Sequence, residues 1–126
     1  MAHVLVVDDD ATNIELASAM LEQAGHRVQC AASGEACIAM AMASLPDLVL
    51  LDVQMPGMDG VEVLRRLRAD PRTASLKVHA LTALAMKGDR ERLLAEGFDG
   101  YLEKPMRYRA FLAALELALG RPAERG

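Results

Sequence analysis

Cysteine is scarce in this chain of 126 residues: only Cys30 and Cys37 occur, and neither has neighbours at a metal-ligand spacing. Both lie in apolar surroundings, Val28-Gln29-Cys30-Ala31 and Ala36-Cys37-Ile38, so they are expected to be buried free thiols. No apolar run approaches the length needed to span a bilayer, which excludes a membrane-crossing helix. The N-terminal apolar stretch is too short for a secretory core and runs straight into three aspartates, so no export is expected and the protein is placed in the cytoplasm. A basic stripe is also missing. The net charge is -4, and Arg65, Arg66 and Arg68 alternate with Glu62, Val63, Leu64 and Leu67 as on the wet side of an amphipathic helix. Neither nucleic acid nor a membrane is therefore expected as a partner. Nor does a glycine-rich loop follow the first apolar run. Asp8-Asp9-Asp10 stands in its place and would repel phosphate, which argues against a nucleotide or flavin binder. Without repeats or low-complexity segments, the chain reads as one domain over 1–120 with a short tail over 121–126.

What is present is a strict alternation. Apolar runs of strand length at His3 to Val7, Arg27 to Ala31, Asp47 to Leu51, Lys77 to Leu81 and Gly100 to Leu102 alternate with stretches of helical period. Those stretches run from Ala11 to Ala24, Gly34 to Ala43, Val61 to Ala69, Met86 to Glu96 and Met106 to Leu119. The punctuation agrees: Asp10, Ser33 and Asp59 are placed to cap helices, Gly25 follows the first, and Gly120-Arg121-Pro122 stops the last. Continuous apolar strands imply a parallel sheet covered on both faces, and right-handed crossovers leave few topologies. The fold expected is α/β, a doubly wound five-stranded parallel sheet of order 2-1-3-4-5 with five helices, flavodoxin-like.

In that order the chain reverses between the first and third strands, whose carboxyl ends carry Asp8-Asp9 and Asp52. Carboxylates at about 4 Å repel by on the order of 4 kcal/mol per pair at an effective dielectric of 20, so three together call for a cation. A hard ion with oxygen ligands suits them, and Mg²⁺ suits best because it retains waters and bridges to a phosphoryl oxygen. Beside such an ion a carboxylate can attack phosphorus and form an acyl phosphate. Asp52 stands alone at its strand end and is the candidate nucleophile. Phosphoryl transfer needs positioning and charge neutralisation, and Thr82 and Lys104, at the ends of the fourth and fifth strands, supply a hydroxyl and an ammonium.

Four segments in order carry a family likeness: Val7-Asp8-Asp9, Leu51-Asp52-Val53-Gln54-Met55-Pro56-Gly57-Met58-Asp59-Gly60, Leu81-Thr82-Ala83 and Tyr101-Leu102-Glu103-Lys104-Pro105. On these the chain resembles a response-regulator receiver domain of bacterial two-component signalling. Its loop Thr82 to Asp89 is similar to that of single-domain regulators of the DivK kind and of hybrid histidine kinase receivers, and a freestanding regulator is expected. The resemblance implies Asp52 as phosphoacceptor and Asp8 and Asp9 as acidic metal residues, with Gln54 giving its backbone carbonyl to Mg²⁺. It implies that Thr82 and Lys104 bind phosphoryl oxygens, and that the Lys104-Pro105 bond is cis. Thr82 and Tyr101 would form a coupled switch that alters the face made by the fourth helix, fifth strand and fifth helix. The implied partners are a histidine kinase or histidine phosphotransferase and a downstream protein target. The chain would be a monomer or a phosphorylation-dependent dimer.

Two other functions compete: an aspartate-nucleophile phosphohydrolase and a phosphorylation-independent interaction module. The hydrolase would need a second acid two residues after its nucleophile, where this chain has Gln54, so no enzyme activity is expected beyond the domain's own phosphorylation and dephosphorylation. On the first helix Ile14, Ala17, Leu21 and Ala24 already make a sheet-facing stripe. Leu16 and Met20 are then surplus: either they form an apolar patch beside the acidic site where a kinase or phosphotransferase helix docks, or they belong to a wide core stripe. His79 stands where the family usually has an aliphatic residue, and is expected to be partly buried and hydrogen-bonded, with a pH-sensor role as the second reading. His3 and His26 read as surface residues.

Overall fold

The computed structural model describes residues 2–83, 87–103 and 107–119. Five strands, β1 (His3–Val7), β2 (Arg27–Ala31), β3 (Leu48–Asp52), β4 (Val78–Thr82) and β5 (Gly100–Glu103), alternate with five helices, α1 (Ala11–Gln23), α2 (Gly34–Ser44), α3 (Gly60–Ala69), α4 (Lys87–Glu96) and α5 (Tyr108–Ala118). The strands pair parallel in the order β2-β1-β3-β4-β5, as the alternation of apolar runs predicts. β3, β4 and β5 each run one residue further toward the carboxyl end than their apolar runs. Asp52, Thr82 and Glu103 join the sheet by backbone pairing, which no hydropathy pattern records.

Both faces of the sheet are buried. One apolar cluster joins Leu5, Val7, Val49, Leu51, Val78 and Ala80 to Cys37 and Ala41 of α2, Val63, Leu64 and Leu67 of α3, and Leu93 of α4. The other joins Val4, Val6, Leu48, Leu50, Leu81 and Leu102 to Ala17, Met20 and Leu21 of α1 and Phe111 and Leu115 of α5. Alternate residues of each strand enter opposite clusters, so each central strand is apolar on both sides. Burial pushes the Cys37 thiol up to about 12, and it stays protonated. Cys30 is half-buried, with its Sγ 3.1 Å from Ser18 Oγ.

The caps form as the sequence predicts. Asp10 Oδ1 accepts from Thr12 N at 2.8 Å, Ser33 Oγ from Ala36 N at 3.2 Å and Asp59 Oδ1 from Glu62 N at 3.0 Å. α2 ends differently, on Leu45 in the left-handed region at φ 46° and 53 % exposed, where glycine or asparagine ordinarily stands. Among the described residues no helix is long and apolar enough to cross a membrane.

Candidate functional site

Strand register builds the site. Val7 pairs with Leu51 across β1 and β3, so the next residues, Asp8 and Asp52, stand at equal height on adjacent strands. Asp8 is fully buried and Asp52 is 4 % exposed, whereas Asp9 is exposed. One carboxylate oxygen from each of the three lies within 4.8 Å of the others. Backbone donors fix two of these groups. Asp8 Oδ1 accepts from Asp10 N at 2.9 Å, and Asp52 Oδ1 accepts from Gln54 N at 3.0 Å. Each bond turns the chain sharply at the strand end and presents the carboxylate at the sheet's edge.

Neighbouring strands bring the remaining groups. Asp52 pairs with Leu81, which puts Thr82 one residue beyond it on β4, and Thr82 is buried at 2 % exposure. Thr82 in turn pairs with Glu103 on β5, and Tyr101, half-buried, pairs with Ala80. Lys104, the Lys104-Pro105 bond, Leu84 to Met86 and the tail over 121–126 lie outside the described residues. The fit to a cation rests on the donor set: three carboxylates of adjacent loops, two of them buried, match a hard divalent ion with oxygen ligands and repel one another without it.

Gly60 is a positioning residue whose role the motif alone does not reveal. A Cβ there would come within 2.6 Å of the Asp52 carbonyl oxygen and 2.8 Å of Val53 Cα, while Gly60 N donates to Val53 O at 3.1 Å. α3 therefore begins against the backbone that carries Asp52. The only sequence signal is the glycine after the capping Asp59.

Two expectations are corrected. Met20 is 6 % exposed and belongs to the cluster beneath α5, so the patch expected from Leu16 and Met20 does not form; Leu16 alone, at 41 %, faces solvent. His26 is also buried, at 6 %: its Nδ1 accepts from Ala2 N at 3.1 Å and its Nε2 lies 3.5 Å from Glu116 Oε2 on α5. α5 covers both residues, and that long-range packing widens the buried stripe beyond what α1 shows by itself. His79 is half-buried as expected, but no side-chain hydrogen bond to it is found among the described residues, and its Nδ1 is fully buried.

The sequence model described as "Response regulator receiver domain" matches residues 4–116. The Response regulator PleD of Caulobacter vibrioides is 45% identical over 105 residues, which cover 83% of this chain but 23% of that protein. The Polar-differentiation response regulator DivK of Brucella ovis is 34% identical over 117 residues, 93% of this chain and 95% of that protein. Among solved structures, the receiver domain of sensor histidine kinase PA1611 from Pseudomonas aeruginosa PAO1 superposes with a TM-score of 0.85 at 33% identity, covering 94% of this chain and 98% of that one. That structure has a magnesium ion coordinated in its active site cleft.

Proposed function

The chain belongs to the response-regulator receiver family of two-component signalling, and from that premise we propose that Asp52 is its phosphoacceptor, charged from a histidine on a partner protein. The observation that carries this reading is the convergence of Asp8, Asp9 and Asp52 at the reversal point of the sheet, with Thr82 buried on the next strand. Asp8, Asp9, Asp52 and the backbone carbonyl of Gln54 would hold Mg²⁺. When bound, the ion neutralises charge on the phosphoryl oxygens and on the attacking carboxylate.

The remaining steps belong to the chain's own groups. Asp52 attacks phosphorus through a carboxylate oxygen, a new C–O–P linkage forms as the P–N bond to the donor histidine breaks, and the leaving imidazole keeps the electron pair. Gln54 N holds Asp52 Oδ1, which fixes the carboxylate in one orientation. Thr82 donates a hydrogen bond from its hydroxyl to a phosphoryl oxygen, and Lys104 neutralises another. The charged form then differs from the free form by the Thr82 bond, and Tyr101 on β5 follows Thr82 to alter the α4, β5 and α5 face that a downstream protein reads. The donor docks at the exposed Leu16 on α1, beside the acidic edge. Acting as a signalling module of the cytoplasm, the domain has no substrate other than its donor and its own phosphoryl group, and the domain comprises 1–120.

Incubation with phosphoramidate, a small P–N donor that stands in for phosphohistidine, tests this reading. With Mg²⁺ present, intact mass should rise by one phosphoryl group, and a chelator should prevent the gain. A protein that takes up none under either condition is not a phosphoacceptor.

A further inference from the structure

At the opposite end of the sheet from the aspartates, a groove of about 480 Å³ opens between α4 and α5, with β4 and β5 as its floor. Its walls are apolar: Leu94 from α4, and Ala114, Leu117 and Ala118 from α5. Leu94 and Leu117 are 51 % and 70 % exposed, so both stand open to solvent. The floor is formed by His79 and Gly100, which pair across β4 and β5. The imidazole occupies the space that any side chain on Gly100 would need. A Cβ there would lie 2.6 Å from His79 Nε2 and 2.8 Å from its Cδ2.

We propose that His79 is a proton-operated plug in this groove: neutral, its ring lies over Gly100 and closes the floor; protonated, it leaves that seat for the Asp99 carboxylate and opens it. The ring's surroundings dictate both positions. Nδ1 is buried with no hydrogen-bond partner among the described residues, which a neutral ring tolerates by carrying its proton on Nε2. A protonated ring must place an N–H on both nitrogens, and the Nδ1–H would then be a buried donor without an acceptor. Relief is close by. Asp99 lies at the rim of the groove with its Oδ2 held by Arg68 Nη2 at 2.9 Å and Val78 N at 2.8 Å, and no bond to its Oδ1 is found among the described residues. The carboxylate is thus fixed in place, with one oxygen to offer.

Among the described residues, the charged and titratable groups around the ring are Lys77, which precedes β4, and Asp99 and Tyr101, which come with β5; the residues that α4 and α5 are seen to contribute to the lining are apolar. Arg68 of α3 reaches it only through Asp99. Burial drives the imidazole below its ordinary value, Asp99 opposes that shift, and Lys77 adds to it. The plug therefore stays seated at neutral pH and is released by acid. Nothing in this device uses Asp52, so it stands or falls separately from the phosphoacceptor reading.

An NMR titration of the full chain between pH 8 and pH 4.5 reads it directly, following the His79 ring and the methyl groups of Leu94 and Leu117. The ring should titrate below its ordinary value and the methyl shifts should move with it. In His79→Leu those methyl shifts should be flat through the same range, and in Asp52→Asn they should match the wild type. Gly100→Ala evicts the ring sterically, so at neutral pH its Leu94 and Leu117 methyls should already sit where the wild type arrives in acid. Titration of His79 at or above its ordinary value overturns the proposal, as do methyl shifts that ignore the ring or survive in His79→Leu. Acid unfolding that precedes any ring titration, with the same midpoint in His79→Leu, overturns it as well.

Discussion

The two ends of this sheet bury polar groups in opposite ways. At the carboxyl ends of β1 and β3, three carboxylates converge, each announced in the sequence by an apolar run that stops on an acid. At the amino ends of β4 and β5 a single imidazole nitrogen is buried over a glycine, and no motif announces it. The first arrangement is a charge problem that a ligand solves, whereas the second is a packing problem that a missing Cβ solves. Chemistry that depends on residue type is visible in a sequence. Shape that depends on which residues face each other across strands is not.

Adding Mg²⁺ should separate the two ends most strongly. A site that binds only the folded chain raises stability by about 2.7 kcal/mol at roughly 100 times the dissociation constant, so the unfolding midpoint in denaturant should move upward with Mg²⁺ and stay still in Asp8→Asn. An unchanged midpoint in the wild type would remove the cation from the account. At the other end, Gly100→Ala should cost about 1–3 kcal/mol by overpacking against His79. In the Gly100→Ala and His79→Ala double variant most of that cost should vanish, since the clash needs both residues. Additive losses in the double-mutant cycle would show that the two do not meet.

Acid sharpens the same contrast. His79 in the folded chain titrates below its ordinary value of about 6.5, while in the unfolded chain it keeps that value. Below that pH the unfolded state binds a proton that the folded state refuses. His79's contribution is therefore complete above about pH 6.5 and is lost as pH falls from there toward the depressed folded value. Urea unfolding across this window should show a shallower loss in His79→Leu than in the wild type. The smallest effect is expected away from both ends, at Leu45. Replacing it with glycine relieves the left-handed strain of about 1–2 kcal/mol and adds backbone entropy of up to about 1 kcal/mol to the unfolded chain, so Leu45→Gly should stabilise by about 0.5 kcal/mol.

The order of strands and helices was legible because each apolar run is bounded by a cap or a turn residue, and parallel crossovers admit few arrangements. Asp8, Asp9 and Asp52 were legible as a group for the same reason, since strand order alone makes them neighbours. Met20 and His26 were not, because both are covered by α5, some ninety residues later in the chain, and helical period on α1 carries no trace of that contact. The seating of His79 was hidden too. His79 and Gly100 are ordinary residues until the register of β4 against β5 sets them side by side.

The central claim is that Asp52 accepts phosphorus at the acidic end of the sheet. Intact mass of the wild type and of Asp52→Asn, each incubated with Mg²⁺ and a small acyl-phosphate donor, tests it most directly. One added phosphoryl group on the wild type and none on the variant is the predicted result; equal uptake by both, or uptake by neither, contradicts it.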